Sequence, residues 1–262
     1  MKTALIITTY NWPEALELVL NSILNQTYLP DEVIIADDGS SKKSVDKVQK
    51  LIGNYPIKIK YIYQEDKGFR AAMIRNKAVA ASESEYIIGI DGDILLHKNF
   101  IEDHLKMAQK NRYIQGRRVL LTNQKTQEIF NSQKIKFSFF DNGIRNRKNT
   151  IHSKFLSKLF SKTKNTLKGI KTCNFSMYKE DIIKINGFDN DFVGWGREDS
   201  EFVARFLNNG GKRFDIRFNA IAYHIYHKEN TRKNLKSNDK KLEDTIKNKI
   251  IFCKNGIDKF IK

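Results

Sequence analysis

The strongest constraint on this fold is a repeated order over residues 1–93, in which a short apolar run, a polar loop and an amphipathic helix follow one another. Residues 2–8 (KTALIIT) are apolar and rich in β-branched side chains, and the polar TYN after them leads to Pro13, which suits the first turn of a helix. In that helix Leu16, Val19, Leu20, Ile23 and Leu24 recur at i, i+3, i+4, i+7 and i+8, one stripe facing a sheet. A second strand is predicted at Glu32 to Ala36, ended by Asp37-Asp38-Gly39-Ser40, with Ser40 or Ser41 capping a helix that turns Val45, Val48, Leu51 and Ile52 inward. Ile57 to Tyr63 reads as a third strand, Gly68 to Ala81 as a third helix, and Tyr86 to Ile90 as an almost wholly apolar strand ending in Asp91-Gly92-Asp93. Right-handed crossovers turn this order into a mostly parallel α/β sheet covered by helices on both faces, whose ligands bind beyond the carboxyl ends of the strands. The polar loops Thr8 to Asn11, Asp37 to Ser40 and Asp91 to Asp93 all fall at that edge.

After Arg118 the alternation stops. A basic, irregular stretch runs to a strand at Cys173 to Tyr178, followed by a short helix near Glu180 to Ile185, the loop Asn186 to Arg197, a helix from Glu198 to Asn209, and strands near Arg213 to Arg217 and Ala220 to His224. With 262 residues, 40% of them hydrophobic, the chain can bury a substantial core. It has no apolar run of about 18 residues and no cleavable leader pattern, which predicts a cytoplasmic protein. Cys173 and Cys253 are far apart and lack metal-ligand spacing, so both are expected to be reduced thiols. The net charge of +17 calls for an acidic partner, nucleic acid or anionic membrane. Much of it is concentrated: Lys134 to Lys171 holds eleven Lys or Arg against the single acid Asp141.

Asp91-x-Asp93 at the end of a buried strand aims two carboxylates at one point, a repulsion that a divalent cation such as Mn²⁺ or Mg²⁺ would offset. The same motif in isolation would be an ordinary polar loop, but four blocks accompany it. TTYN at Thr8 to Asn11, QTYLPDEVIIADDGS at Gln26 to Ser40, GFRAAMIRNKAVAAS at Gly68 to Ser82 and IIGIDGD at Ile87 to Asp93, in this order, resemble family 2 glycosyltransferases of the GT-A fold. NGFDNDFVGWGREDSEFVARFLNNG at Asn186 to Gly210 is similar to the acceptor-side segment of bacterial chondroitin-polymerase-type enzymes and β-1,4-galactosyltransferases. The resemblance divides the chain into a nucleotide-sugar-binding half at 1–120, a basic insert at 121–171 with an amphipathic helix, an acceptor-binding half at 172–228, and a basic helical tail at 229–262.

The resemblance also implies roles. Asp38, or its neighbour Asp37, would accept the uracil N3–H, with Thr8, Thr9 and Tyr10 bordering the base and Gly92 lining the donor site; a carboxylate is the fitting acceptor for that donor. Arg70 and Arg75 would reach the diphosphate. Asp91 and Asp93 would bind the metal, joined by His224 or His227 of AYHIYH, and a nitrogen ligand shifts preference from Mg²⁺ towards Mn²⁺. Asp199 would be the base that deprotonates the acceptor hydroxyl, with Glu198 binding sugar hydroxyls. Both carboxylates also begin a helix, where the dipole alone would favour them. Trp195, between Gly194 and Gly196, suits a mobile loop that lays an aromatic platform over an acceptor sugar.

The implied reaction is an inverting transfer of a hexose or N-acetylhexosamine from a UDP-sugar to a glycan or lipid-linked acceptor, as in bacterial surface polysaccharide or lipopolysaccharide synthesis. Inversion needs a single base, and one is present. Within His152 to Lys171, Phe155, Leu156, Leu159, Phe160, Leu167 and Ile170 recur at roughly helical spacing among lysines. This predicts an interfacial helix on the inner face of the cell membrane, a flap beside the acceptor, or an ordinary helix packed on the domain. Two other classes compete with this reading. A nucleic-acid-binding protein would account for the charge but not for DGD, DDGS or GREDSE, and nucleic acid is not expected as a partner. A sugar-nucleotide nucleotidyltransferase would need a glycine-rich loop after the first strand, where this chain has TTYNWP.

Overall fold

The structure, a computed structural model, describes residues 1–228 and 234–261. The first-half alternation folds into parallel strands β1 (Thr3–Thr9), β2 (Glu32–Asp37), β3 (Ile59–Tyr63) and β4 (Tyr86–Asp91), joined by α1 (Pro13–Leu24), α2 (Lys42–Gly53) and α3 (Ala71–Ala81). Side chains alternate across a strand, so β1 feeds two cores. Leu5 and Ile7 pack with Leu16, Val19, Leu20 and Ile23 of α1, while Ala4 and Ile6 pack with Ala72, Ile74, Ala78 and Val79 of α3. Helices therefore cover both faces, as expected. Helix α3 starts later than Gly68, whose φ of 81° lies in the left-handed region that helices exclude.

The remaining elements are β5 (Ile94–Leu96), α4 (Phe100–Lys106), β6 (Arg112–Gln115), β7 (Arg118–Leu121), α5 (Asn123–Ser132), β8 (Ile144–Arg145), α6 (Lys154–Phe160), β9 (Lys162–Thr163), β10 (Asn174–Tyr178), α7 (Lys179–Lys184), α8 (Glu198–Asn208), β11 (Lys212–Asp215), β12 (Ala222–His224) and α9 (Leu235–Lys247). Among the described residues the main sheet runs β3-β2-β1-β4-β10-β6-β11-β9, and a smaller one runs β5-β12-β7-β8. Strand β10 enters antiparallel between β4 and β6, making the second half of the sheet mixed. Gly89 permits this: a Cβ there would come within 2.1 Å of the Phe175 ring. Tyr86 and Ser176 then meet at 2.7 Å, and His104 of α4 reaches Ser176 at 2.7 Å and Asn174 at 2.9 Å, so the buried polar groups at this junction satisfy one another.

Two expectations of helix extent change. Helix is confined to Lys154–Phe160 within His152 to Lys171; the chain then pairs with β11 as an edge strand, and Leu167 and Ile170 pack inward beyond it. The tail helix is Leu235–Lys247, shifted from the expected Asp239 to Phe252, and residues 229–233 and 262 of the tail lie outside the described residues. Helix α9 docks on α8, where Thr245 donates to Glu201, itself paired with the buried Arg205. The segment beyond returns to the 186–195 loop, with Asn190 donating to the Asn255 carbonyl and Ile257 to that of Asn186.

Candidate active site

A cavity of about 910 Å³ opens where β1 and β4 end, bounded on the other side by α8, β7, β12 and residues 170–173. Of the residues singled out from the sequence, Thr8, Thr9, Tyr10, Asp38, Arg75, Asp91, Gly92, Asp93, Trp195, Gly196, Glu198, Asp199, His224 and His227 line it. Parallel pairing sets Thr8 opposite Asp91, and the Thr8 hydroxyl donates to the Asp91 carboxylate at 2.8 Å. Gly92 folds back so that its amide reaches the Thr8 carbonyl, an approach that a Cβ would crowd at 3.0 Å.

The two aspartates after β2 separate. Asp37 is fully buried outside the cavity, accepting from the Gly39 and Ser40 amides and the Tyr61 hydroxyl, so its carboxylate is consumed in shaping the turn. Asp38 faces the cavity, held by Gln64 at 2.5 Å and the Arg70 amide at 2.8 Å. Burial raises its pKa against those hydrogen bonds. Ser41 stands at the helix N-cap but its hydroxyl meets Ser44, while the Ser40 hydroxyl accepts from the Asn11 amide. Asn11 thus clamps the first and second loops together.

The two arginines of the third block exchange importance. Arg70 turns its guanidinium to the Glu65 carbonyl and the Met73 sulfur, off the cavity wall. Arg75, which as a helical arginine would ordinarily be solvated, is 7% exposed and lies between both halves of the site. It donates to Asp91 at 3.1 Å and stands 3.6 Å from both Glu198 and Asp199. Burial disfavours its charge, but Asp91, Asp199 and Glu198 outweigh that and hold it protonated.

Asp91 is thereby engaged by Thr8 and Arg75, while the described side chains grouped so that they could hold a metal ion are Asp93, His224 and His227. Their donor atoms all lie within 4.8 Å of one another. One Asp93 oxygen is 3.4 Å from the His224 Nε2 and 3.2 Å from that of His227; the other is buried without a partner. The sequence left one of the two histidines as a bystander, yet pairing of β12 with β5 and β7 brings both to Asp93. A carboxylate with two imidazoles and a spare buried oxygen fits a divalent cation of intermediate softness. Hydrogen bonding to Asp93 pushes His227 up to about 9 against burial.

Asp199 does not cap its own helix. Its two oxygens accept from the amide and hydroxyl of Thr172 at 3.0 and 2.7 Å. Glu198 beside it is pushed well above the usual carboxylate range by burial and by the Asp199 charge. A carboxyl so raised tends to keep its proton, which suits Glu198 to donating a hydrogen bond. Gly194, Gly196 and Arg197 all have positive φ, and a Cβ on Gly194 would strike Asn234 at 2.5 Å. These glycines answer to backbone geometry: Asn234 and Asn238 of the tail hold the Val193 and Gly196 carbonyls, and Trp195 is 38% exposed at the cavity edge.

Sequence reasoning missed Thr172, Gln64, Arg118 and Lys171. Each lies outside the motifs, and only the sheet order β4-β10-β6 brings the segment before β10 to Asp199.

Comparison with known proteins identifies the family. The family model of glycosyl transferase family 2 matches residues 4–185, and that of the N-terminal domain of galactosyltransferase matches residues 155–228. The chain is 28% identical over 241 residues to a chondroitin synthase of Pasteurella multocida (strain Pm70), covering 84% of this chain and 24% of the relative. It is 27% identical over 245 residues to a hyaluronan synthase of Pasteurella multocida, with the same coverage of 84% and 24%. A cholesterol galactosyltransferase of Borreliella burgdorferi is 32% identical over 101 residues, 38% of this chain and 27% of the relative. The chain thus spans about a quarter of the length of the two Pasteurella enzymes. With the family match extending over more than half of the chain, on strands and loops that build the cavity, this protein is an enzyme of the family 2 glycosyl transferases with the GT-A fold.

Proposed function

We propose that this enzyme transfers a hexose or N-acetylhexosamine from a UDP-sugar to a glycan or lipid-linked acceptor, with inversion, in the assembly of a bacterial surface polysaccharide or lipopolysaccharide. The observation that carries the reading is the single cleft in which Arg75 links Asp91 to Glu198 and Asp199, beside the Asp93, His224 and His227 cluster. Asp38, with Thr8 to Tyr10, borders the nucleobase. Asp93, His224 and His227 would hold Mn²⁺ or Mg²⁺, which when bound supplies charge neutralisation for the leaving diphosphate. Asp199 takes the proton of the acceptor hydroxyl, and Thr172 fixes its direction. Glu198, protonated, donates to a sugar oxygen, and Trp195 with Gly196 borders the acceptor.

Asp199→Asn is the direct test. The variant should bind UDP and Mn²⁺ as the parent does while losing transfer, and substantial residual transfer would remove Asp199 from the base role. A screen of UDP-sugars for UDP release would identify the donor. UDP as the product, and not pyrophosphate, also separates this reading from a nucleotidyltransferase.

The basic insert supports association with an anionic membrane. In α6 Phe155 is 76% and Leu159 65% exposed, one turn apart, beside exposed Lys154 and Lys158, and Phe140 is 85% exposed. Apolar side chains framed by lysines match an interfacial surface. No helix among the described residues is long and apolar enough to cross a membrane. Sedimentation with anionic but not neutral vesicles is expected, and indifference to both would sink this part of the reading.

A further inference from the structure

The charges lining the cleft are unevenly satisfied. Every carboxylate has partners: Asp38 has Gln64 and the Arg70 amide, Asp91 has Thr8 and Arg75, Asp93 has both histidines, and Glu198 and Asp199 have Arg75 and Thr172. Of the cations, Arg75 is shared among acids and Arg197 is paired with Asp239. Three others line the same cavity: Arg118, Arg145 and Lys171. Among the described residues none of these three has a carboxylate within ion-pair distance.

Their positions make this more than a solvated basic surface. Arg118 is half-buried in β7, and its Nε is shielded from solvent without a partner. Its guanidinium contact is the Cys173 sulfur at 3.8 Å, a thiol whose pKa burial pushes up to about 12 and which therefore offers no charge. Lys171 immediately precedes Thr172, the residue that holds Asp199; its side chain reaches the surface, but partial desolvation at the cavity wall and the nearby Arg118 lower its ammonium pKa. Arg145 pairs with Leu120 across β7 and β8, two residues along from Arg118. Three segments thus bring unbalanced positive charge to one wall, a cost that a bound anion removes and that charge-assisted hydrogen bonds convert into affinity.

We propose that Arg118, Arg145 and Lys171 form a subsite for an anionic group, carboxylate or phosphate, carried by the acceptor. The inference rests on the glycosyl-transfer reading and adds the acceptor's charge to it. Lys171 places the subsite on the Asp199 side, whereas Thr8 to Tyr10 and Asp38 mark the nucleotide side. The donor diphosphate is the other source of anionic oxygens in this cleft, so the test must separate the two.

The measurement is calorimetric titration of the full chain with Mn²⁺, first with UDP and then, on the UDP-saturated protein, with methyl glucoside, methyl glucuronide and glucose 1-phosphate. At least one anionic sugar should bind about tenfold more tightly than the neutral glucoside, and the choice between them distinguishes carboxylate from phosphate. Lys171→Gln and Arg145→Gln, both at exposed positions, should erase most of that preference, as should Arg118→Gln, with the UDP Kd unchanged within about twofold. Equal binding of neutral and anionic sugars to the UDP-saturated parent overturns the inference and leaves glycosyl transfer standing. A fall in UDP affinity of about tenfold in these variants also overturns it, by assigning the cations to the diphosphate. Absence of UDP binding by the parent would remove the glycosyl-transfer reading itself, and this inference with it.

Discussion

Thr172 grips Asp199 at both carboxylate oxygens, its amide reaching one at 3.0 Å and its hydroxyl the other at 2.7 Å. Each oxygen keeps a further lone pair, so the contact orients the carboxylate without exhausting it. Thr172→Val keeps the shape and the amide bond but removes the hydroxyl. A hydrogen bond to a charged group contributes about 1.5–3 kcal/mol, so kcat should fall by about ten- to a hundredfold. The donor KM should hold steady, and Thr172→Ser should recover most of the loss. An unchanged kcat in the valine variant would show that the hydroxyl does not position the base.

Asp91 and Asp93 are expected to differ in metal binding, although the motif presents them as equals. Asp93 lies with His224 and His227, while Asp91 is engaged by Thr8 and Arg75. Asp93→Ala should abolish Mn²⁺ binding followed by electron paramagnetic resonance, His224→Ala and His227→Ala should each weaken it, and Asp91→Asn should retain it. Loss of binding in Asp91→Asn equal to that in Asp93→Ala would contradict the assignment. EDTA should abolish transfer by the parent enzyme and Mn²⁺ restore it.

Arg75 should matter to stability as well as to activity. It is buried against three carboxylates, and deleting one partner of a buried charge cluster typically costs about 3–5 kcal/mol. Arg75→Ala is therefore expected to lower the urea midpoint strongly. Replacing Asp91 by Asn in the same chain should return part of the loss, because it removes one of the stranded charges. Additive losses in the double variant would deny the coupling.

His104 predicts a pH dependence of folding. Burial, offset in part by the bond to Asn174, lowers its pKa to about 4 from the ordinary 6.5. Its stabilising neutrality is fully retained above the unfolded pKa. Between pH 6.5 and 4 the unfolded chain takes up a proton that the folded protein refuses, so folding weakens by about 1.4 kcal/mol per pH unit from this group. Urea titrations at pH 7.5, 6 and 5.5 should show the decline, and His104→Gln should flatten it. An equal slope in parent and variant would rule out His104 as its source.

The order of strands and helices in the first half was legible because periodicity and turn chemistry are local: Leu16 to Leu24 mark an inward stripe, and DDGS ends a strand, whatever surrounds them. The motifs also named most of the residues that line the cavity. Local signals do not say which of two adjacent like residues faces a ligand. Asp37 and Asp38 carry the same chemistry, but turn hydrogen bonds consume one and leave the other at the cavity. Arg70 and Arg75 lie on one block, and only the packing of α3 on β1 and β2, which lets Arg75 reach Asp91 and the first residues of α8, made Arg75 the bridge between the halves. The apolar residues of the lysine-rich 152–171 stretch recur at roughly helical spacing, yet pairing of β9 with β11 replaces helix after Phe160.

Sequence alone determined that apolar strands would end in acidic loops at one edge of a sheet, since strand alternation and polar loop chemistry are properties of neighbouring residues. Tertiary structure decided what no spacing encodes. The antiparallel entry of β10, admitted by Gly89, sets Thr172 against Asp199, and β12 carries two histidines to Asp93. Those contacts join residues far apart in the chain, and their partners are fixed by strand order and side-chain packing, which exist only once the sheet has formed.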